Sequence, residues 1–253
     1  MGAGHGLYRD QSSPAHRLAP EVKIAATVAF TLAVVATPRE ELWAFAVYAG
    51  LVAVAAVAAR TPPGWLASRA LIELPFVLFA FALPFLATGP TVEWGPLSLS
   101  VEGLYGAWNI LAKGTLGVLA SLLLAATTPA EQLLVGLDRL RCPSALTQIA
   151  TFMIRYLQVL VDEARRMRVA RISRGDDPRF LWQLRGFAAG IGGLFLRAYE
   201  RGERVYLAMV SRGYSGRLPD LGTGGPAATT AQWLRVAPLP ALAAVTAVTA
   251  AIG

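Results

Sequence analysis

Long runs of apolar residues alternate along the chain with short polar segments, and five of these runs approach the length of a membrane span. A helix needs about 20 apolar residues to cross roughly 30 Å of hydrocarbon. The runs are Val22 to Ala36, Leu42 to Ala59, Leu71 to Ala87, Leu104 to Ala126 and Pro238 to Ile252. The third contains Pro75 and Pro84, which predict kinks in its helix. The pattern predicts an all-α, polytopic helical bundle of about five spans.

A long arginine-rich insert, residues 127–220, separates the fourth run from the fifth and has a helical pattern of its own. It opens with Thr128, Pro129 and Glu131, whose spacing predicts a capping box in which the threonine caps a helix and the glutamate reaches back to it. A short amphipathic helix follows and ends before Pro143. The insert therefore starts at a definite boundary after the fourth span.

Two long amphipathic helices are predicted next, from about Ser144 to Arg174 and from about Phe180 to Arg212. The apolar stripe of the first predicts one face buried along most of its length. This stripe comprises Ile149, Phe152, Met153, Tyr156, Leu160, Ala164 and Met167. A close crossing with a neighbouring helix is predicted by Gly186, Gly190, Gly192 and Gly193, since glycine costs helix propensity. Helical spacing predicts surface pairs of Asp162 with Arg165 and Arg166, and of Glu200 with Arg204.

Composition supports a membrane protein, because 55% of the 253 residues are hydrophobic, 15% are charged and the mean hydropathy is +0.50. The loop 88–103 carries Glu93 and Glu102 but no basic residue, whereas the segments predicted on the other side carry arginines. The positive-inside bias then predicts a cytoplasmic N-terminus and a cytoplasmic insert, and it explains the net charge of +7 without nucleic acid. The predicted parts are a cytoplasmic N-terminal arm (1–21), spans one to four (22–126), the insert (127–220), a linker (221–232) and the last span (233–253).

Few polar side chains fall within the predicted spans. We interpret Lys23 and Lys113 as snorkelling toward the membrane surface, and Glu73 as lying near the inner end of its span, at the interface. Asn109 lies in the outer half of the fourth span. A permease that carries its own substrate is expected to show more intramembrane polar groups and a repeat symmetry between its halves. A stand-alone permease or channel is therefore the less favoured hypothesis.

No enzymatic motif is present: the chain lacks a G-x-x-x-x-G-K-[ST] phosphate loop, an H-E-x-x-H zinc motif and a nucleophile elbow. His5 and His16 lie in an arm predicted to be flexible, which makes a poor metal site, and the single Cys142 excludes an internal disulfide. A membrane-anchored enzyme or lipid-binding protein is a third hypothesis, but acids interspersed among the arginines of the long helices argue against a lipid-contact face. We predict no catalytic residue, no metal site and no bound cofactor.

One tripeptide occurs twice in the insert, as Ser173-Arg174-Gly175 and as Ser211-Arg212-Gly213. Each copy stands at the predicted end of a long helix. Glycine ends helices because it takes positive φ without a Cβ penalty, and an arginine before it lies at the negative end of the helix dipole. Helix-end chemistry alone accounts for one copy. Two copies at the ends of consecutive helices predict two exposed arginines, each suited to a carboxylate on a partner protein.

With these motifs the chain resembles the transmembrane T component of energy-coupling factor (ECF) transporters, ABC-type importers of vitamins and transition metals, and most closely the CbiQ/NikQ subgroup for cobalt and nickel. The resemblance covers nearly the whole chain. It also includes His16-Arg17-Leu18 with Pro20 and Val22-Lys23, Thr127-Thr128-Pro129, Arg155-Tyr156 and Asp162-Glu163-Ala164. The family carries a pair of Ala-Arg-Gly-like motifs at the ends of two coupling helices. Serine replaces alanine in both copies here.

The resemblance implies that residues 127–220 form a cytoplasmic coupling domain of two long helices and a short one. Two ATP-binding cassette ATPase subunits would dock at the two Ser-Arg-Gly copies, and a separate membrane S component would bind the substrate. ATP would be bound by the partner subunits, so the chain itself would be no enzyme. The implied cargo is cobalt or nickel, with a vitamin such as biotin as the alternative. The implied location is the bacterial cytoplasmic (inner) membrane, within the lipid bilayer.

Overall fold

The computed structural model of the protein describes residues 7–86, 90–94, 97–175, 184–216 and 226–252. The helices in its first part are α1 (Pro20–Ala36), α2 (Leu42–Ala58), α3 (Pro63–Ala70) and α4 (Leu74–Leu86). The later ones are α5 (Val101–Thr127), α6 (Ala130–Arg139), α7 (Ser144–Ser173), α8 (Leu184–Val210), α9 (Thr230–Val236) and α10 (Pro238–Ile252). The predicted helical bundle is confirmed. The predicted start of the second long helix, residues 180–183, lies outside the described residues.

A short hairpin lies between α4 and α5, in a segment that we predicted only as a loop. Its strands, β1 (Thr91–Trp94) and β2 (Leu97–Ser100), pair antiparallel. The hairpin leads directly into α5, because the Ser100 hydroxyl accepts a hydrogen bond of 3.3 Å from the Gly103 backbone N–H and so caps the helix.

The third span is a broken helix. A 3₁₀ turn, Leu71–Glu73, joins α3 to α4, and Pro75 follows it directly. A proline ring clashes with the carbonyl four residues earlier, which accounts for a break at this point. Pro84 lies inside α4, and there α5 approaches closely: a Cβ added to Gly103 would lie 2.6 Å from the Leu83 carbonyl oxygen. The break beside Pro75 agrees with the predicted kink, whereas α4 continues through Pro84 to Leu86.

Among the described residues, three helical segments are long and apolar enough to cross a membrane: Pro63–Leu86, Val101–Thr127 and Ser144–Ser173. The pair Thr230–Val236 and Pro238–Ile252, bent by 42°, passes the same test as one span. Helices α1 and α2 have 17 residues each, which is the lower end of the usual range for a span of about 17–25 residues. Helix α7 qualifies only through its first part, since charged residues crowd its second part from Asp162 onward.

The chain divides into two compact units, residues 1–140 with 224–253 and residues 141–223. The core of the larger unit is formed by α1, α2, α5 and α10. At its centre Tyr48 is fully buried, with its hydroxyl 2.7 Å from the Thr37 hydroxyl and its ring edge-on to Phe30 and Phe45. The tyrosine hydroxyl also donates to the Ala243 carbonyl at 3.4 Å, which links α2 to α10.

The capping box predicted at the start of the insert does not form. Helix α5 runs to Thr127, and Thr128 follows in an extended conformation as its C-cap. The Thr128 hydroxyl is buried and has no hydrogen-bond partner within the described ranges, while Pro129 occupies the N-cap of α6. The prediction was wrong because the helix of the fourth span extends one residue beyond the C-terminal end of its apolar run. Thr128 therefore caps the C-terminus of α5 and does not cap the N-terminus of α6.

Candidate coupling site

The first Ser-Arg-Gly copy forms the end of α7. Ser173 is its last helical residue, Arg174 is the C-cap and Gly175 has φ +83°. The Gly175 N–H donates to the Ile172 carbonyl at 3.0 Å, and the Ser173 hydroxyl donates to the Val169 carbonyl at 3.0 Å. The first bond satisfies a carbonyl that the helix end would leave without a donor, and the second ties the serine hydroxyl back onto the last turn. All three motif residues are exposed.

The second copy ends α8 in the same way. Gly213 has φ +86°, and its N–H donates to the Val210 carbonyl at 2.9 Å. The Tyr214 N–H donates to the Met209 carbonyl at 3.0 Å, which completes a Schellman motif. The Ser211 hydroxyl reaches back to the Ala208 carbonyl at 3.0 Å. Each serine therefore serves its own helix end, and each glycine takes the conformation that glycine tolerates best.

The two motif arginines place a positively charged guanidinium group at each of these helix ends. Arg174 and Arg212 are exposed, and neither guanidinium has an ion pair or hydrogen bond to any residue that the structure describes. Each is attached to a helix terminus that carries partial negative charge, which stabilises a cation there. An unpaired guanidinium presents five donors in a fixed fork, which suits a carboxylate on another molecule.

Helices α7 and α8 run antiparallel within their unit. The Tyr214 hydroxyl bonds with the Gln148 side chain near the start of α7, and the Gln148 amide donates to the Gly216 carbonyl at 2.9 Å. Near the other end of α7, a Cβ added to Gly193 would lie 3.5 Å from the Met167 methyl group. The second motif thus lies beside the start of α7 and the first at its far end. The rise from Gln148 to Arg174 is about 39 Å at about 1.5 Å per residue.

The charged contact between these helices centres on Glu163. Its carboxylate accepts a hydrogen bond of 2.7 Å from Arg166 and another from Arg197 on α8. These hydrogen bonds, first from Arg166 and then from Arg197, hold the pKa of Glu163 below its usual value. The pairs predicted for Asp162 with Arg165 and Arg166 are wrong, because Arg166 pairs instead with Glu163, which also contacts Arg197 on α8. The predicted pair of Glu200 and Arg204 is confirmed at 3.9 Å.

The apolar stripe of α7 is not buried along most of its length, contrary to prediction. Phe152 and Tyr156 are half-buried and line a groove of about 250 Å³ against α8, but Ile149 and Met153 are 57% and 67% exposed. The predicted close glycine crossing is loose: Gly192 faces open space. The stripe is wider than one partner helix can cover, so this chain leaves part of it exposed.

Two lysines in the larger unit close the ends of an antiparallel helix pair. Lys23 at the start of α1 donates to the Thr127 carbonyl at the end of α5 at 2.9 Å, and Lys113 in α5 donates to the Val35 carbonyl at the end of α1 at 2.8 Å. Carbonyls in the last turn of a helix lack an intrahelical donor, and a lysine supplies one. Lys23 is only 8% exposed, so the predicted snorkelling is replaced by this contact.

Glu73 lies inside the bundle rather than at the interface, which corrects our prediction. It is 5% exposed, and its Oε2 accepts a hydrogen bond of 3.1 Å from the Thr115 hydroxyl. Gly114 makes room for the carboxylate. The error arose because α3 adds 8 residues to the start of the span, which moves Glu73 toward its middle.

The part of the N-terminal arm that the structure describes, from Leu7 onward, is held by specific hydrogen bonds, where we predicted flexibility. His16 Nδ1 lies 2.6 Å from the Ser13 hydroxyl, and His16 Nε2 lies 2.9 Å from the Arg9 carbonyl oxygen. Because a carbonyl only accepts, Nε2 carries the proton and Nδ1 accepts from the serine. The Arg9 N–H donates to the Ala126 carbonyl at 3.0 Å, which ties the arm to the end of α5. His5 lies outside the described residues.

A buried cluster that we did not predict joins α6 to α1. Glu21 pairs with Arg139 at 3.4 Å and accepts a hydrogen bond of 2.6 Å from the Ala228 N–H. Gly136 lies against the start of α1, where an added Cβ would be 2.8 Å from the Ile24 side chain. A glutamate directly after the helix-starting proline was the available sequence signal, but its partners lie far away in sequence.

The bundle of apolar helices and the exposed antiparallel pair define a polytopic helical membrane protein with an accessory helical unit. The model of the CbiQ family, described as cobalt transport protein, matches residues 11–221. The chain belongs to this family, and the resemblance stated from the sequence is confirmed.

Relatives carry two descriptions. The chain is 31% identical over 166 residues to the cobalt transport protein CbiQ of Rhodobacter capsulatus, covering 65% of this chain and 66% of that protein. It is 31% identical over 230 residues to the energy-coupling factor transporter transmembrane protein EcfT of Thermanaerovibrio acidaminovorans, covering 83% and 82%. Identity to the EcfT protein of Heliobacterium modesticaldum is 27% over 225 residues, covering 83% and 84%. The chain is thus similar to transmembrane components of transporters.

Proposed function

We propose that this chain is the energy-coupling T subunit of an ECF-type importer for cobalt or nickel, which transmits ATP-driven motion of two ATPase subunits to a separate substrate-binding S component. The observation that carries the proposal is the pair of identical helix ends, each with an exposed arginine that has no partner among the described residues. Family membership supports the same role.

The antiparallel arrangement favours one ATPase subunit per arginine. Arg174 and Arg212 lie at opposite ends of the α7 and α8 pair, about 39 Å apart along it. That distance is too great for a single groove and suits two separate subunits. Closure of the ATPase pair on ATP would bring the two grooves together, and rigid helices would carry this displacement away from the two contact points. Each groove is expected to offer a carboxylate to its arginine.

Displacement of α7 would be transmitted to the bundle of apolar helices through α6. Residues 141–143 connect α6 directly to α7, and α6 is held on α1 by the pair of Glu21 and Arg139. Displacement of α7 would therefore act first on the start of α1. We place this face and the N-terminus on the cytoplasmic side of the bacterial inner membrane, which the positive-inside bias supports.

Charge reversal at the helix ends tests the proposal. In Arg174→Glu and Arg212→Glu, and in their combination, we expect unchanged membrane insertion and weaker binding of the cognate ATPase subunits. Loss of an interfacial charge pair costs about 2 kcal/mol or more, roughly thirtyfold in Kd. The measurement is copurification of the ATPase subunits with the tagged chain. Arg168→Glu is the matched control, since it is exposed on α7 away from the end. Undiminished copurification with the double variant would refute the coupling role.

The cargo is tested separately in cells that express the complete transporter. Uptake of labelled cobalt, nickel and biotin is compared with uptake by cells that express the double arginine variant. We expect arginine-dependent uptake of cobalt or nickel. Arginine-dependent uptake of biotin alone would retain the coupling role and overturn the cargo.

A further inference from the structure

The larger unit contains an apolar cavity of about 370 Å³ that the coupling role does not use. It lies among α1, α2, α5, α10 and the N-terminal arm. Buried residues Phe30, Val52 and Ala120 line its inner end, and exposed residues Pro14 and Arg235 line its mouth. The starts of α1 and α10 and the ends of α2 and α5 all contribute to it. The mouth therefore lies at the membrane surface on the side of the N-terminal arm.

The cavity extends through about two thirds of one leaflet of hydrocarbon. The rise along α1 from Lys23 to Phe30 is about 10 Å, and the rise along α2 from Ala59 to Val52 is the same. One leaflet contributes about 15 Å, half of a hydrocarbon core of roughly 30 Å. A chain that enters at the mouth and reaches Phe30 thus spans most of one leaflet.

The charged side chains among the described residues that line the cavity are all basic. Lys23 and Arg235 contribute to it, and no acid is among the described residues that line the cavity. Lys23 is held by the Thr127 carbonyl, whereas the exposed Arg235 has no hydrogen bond or ion pair to any part of the chain that the structure describes. Trp233, 40% exposed, lies one half-turn before Arg235, a placement typical of the headgroup level. A cation at the mouth of an apolar cavity calls for a ligand with an anionic head and an apolar tail.

The charge of the lining excludes a metal ion as the occupant. A divalent cation would meet an apolar lining with two cationic side chains and no carboxylate. The cavity is therefore not part of a metal path.

We propose that this cavity binds one acyl chain of an anionic phospholipid from the leaflet on the side of the N-terminal arm, with the lipid phosphate held by Arg235. Such a lipid contacts α1, α2, α5 and α10 at once, at the end of α5 from which α6 departs. It stabilises the junction through which the insert is joined to the bundle.

The experiment measures lipid retention. The purified full-length chain in detergent is incubated with equal amounts of dioleoylphosphatidylglycerol and dioleoylphosphatidylcholine, and bound lipid is determined by native mass spectrometry. We expect about a tenfold preference for the anionic lipid, because the choline ammonium of phosphatidylcholine offsets the attraction between the lipid phosphate and Arg235. Arg235→Gln should remove the preference. Arg17→Gln, an exposed arginine of the arm outside the cavity lining, should keep it.

A second pair of variants tests the acyl chain. Ala58→Phe fills the cavity near its mouth and should displace both lipids, while Val54→Phe on the same helix, 59% exposed and outside the lining, should displace neither. Inorganic phosphate should raise the melting temperature less than phosphatidylglycerol does. Equal retention of the two lipids by the unmodified chain, or unchanged retention in Ala58→Phe, would overturn the proposal. So would equal stabilisation by phosphate alone.

Discussion

Glu21 is expected to hold the first helix of the insert on the bundle, and its replacement by alanine tests this. Glu21 Oε2 lies 3.4 Å from Arg139 Nη1, and Oε1 accepts a hydrogen bond of 2.6 Å from the Ala228 N–H. The Glu21 side chain is 6% exposed, so both contacts are shielded from water. Alanine leaves the Arg139 guanidinium and the Ala228 N–H without their carboxylate.

The loss of folding free energy expected for Glu21→Ala follows from the burial of the Glu21 side chain. Removing one partner of a buried ion pair costs about 3–5 kcal/mol. Arg139 is 20% exposed and also donates to the Pro226 carbonyl at 3.2 Å, so it keeps part of its solvation and the lower figure applies. In a chain of this size each kcal/mol shifts Tm by about 2–4 °C. We therefore expect Tm to fall by about 6–12 °C.

The assay is thermal unfolding of the purified chain in detergent, followed by tryptophan fluorescence. Glu21→Gln should give an intermediate Tm, because its amide oxygen still accepts from the Ala228 N–H. Glu131→Ala is the matched control, since Glu131 is exposed in the first turn of α6. The ATPase subunits should still copurify with Glu21→Ala, because the helix ends are intact, while uptake falls. Equal melting temperatures for Glu21→Ala and Glu131→Ala would refute the reasoning.

Three further predictions concern glycine positions and a carboxylate. Gly136→Val should cost about 1–3 kcal/mol in thermal unfolding by overpacking, since a Cβ there would be 2.8 Å from Ile24 Cδ1. Gly175→Val and Gly213→Val, at φ +83° and +86°, should cost about 1–2 kcal/mol each at the helix ends and lower uptake. The pKa of Glu163 is lowered, so its stabilising contribution is present above the unfolded value of about 4.3 and is lost as pH falls through the folded pKa. Unfolding measured against pH should show this loss in the unmodified chain and not in Glu163→Gln.

Each of these has its own control. Gly202→Val places the same side chain in α8 where an added Cβ meets nothing within 4 Å, so it should leave uptake intact. Uptake that is equal in Gly202→Val and in both helix-end variants would remove the helix-end argument. A Gly136→Val protein as stable as the unmodified chain would show that α6 can shift on α1. For Glu163, parallel pH curves of the two proteins would contradict the pairing with α8.

Local patterns predicted the helices well. The apolar runs and the 3.6-residue periodicity depend on neighbours in sequence, and α7 was predicted to begin at Ser144, where it begins. The glycine ends were also local, because only the backbone around Gly175 and Gly213 decides their φ. Helix boundaries that depend on a single residue were predicted less accurately: the capping box predicted at Thr128 does not form. The docking role of the two arginines stays a prediction.

Lys23 and Glu73, two polar groups inside the bundle, were misplaced for one common reason. Lys23 was expected at the membrane surface and Glu73 at the interface. Each instead meets a partner far away in sequence: the end of α5 for the lysine and Thr115 for the glutamate. A buried polar side chain goes where a donor or acceptor is free, and only the packing of helices determines where that is.

The sequence by itself determined which segments are helical, that most are apolar enough for a bilayer, and that two helices end in exposed Arg-Gly. These properties arise from hydrophobic periodicity and from backbone conformation within a few residues. The tertiary structure alone decided that α7 and α8 run antiparallel, so that the two arginines lie at opposite ends of one helix pair. It also decided that four helices leave an apolar cavity beneath Arg235. Both depend on contacts between distant residues, because helices pack through side chains that no local pattern pairs.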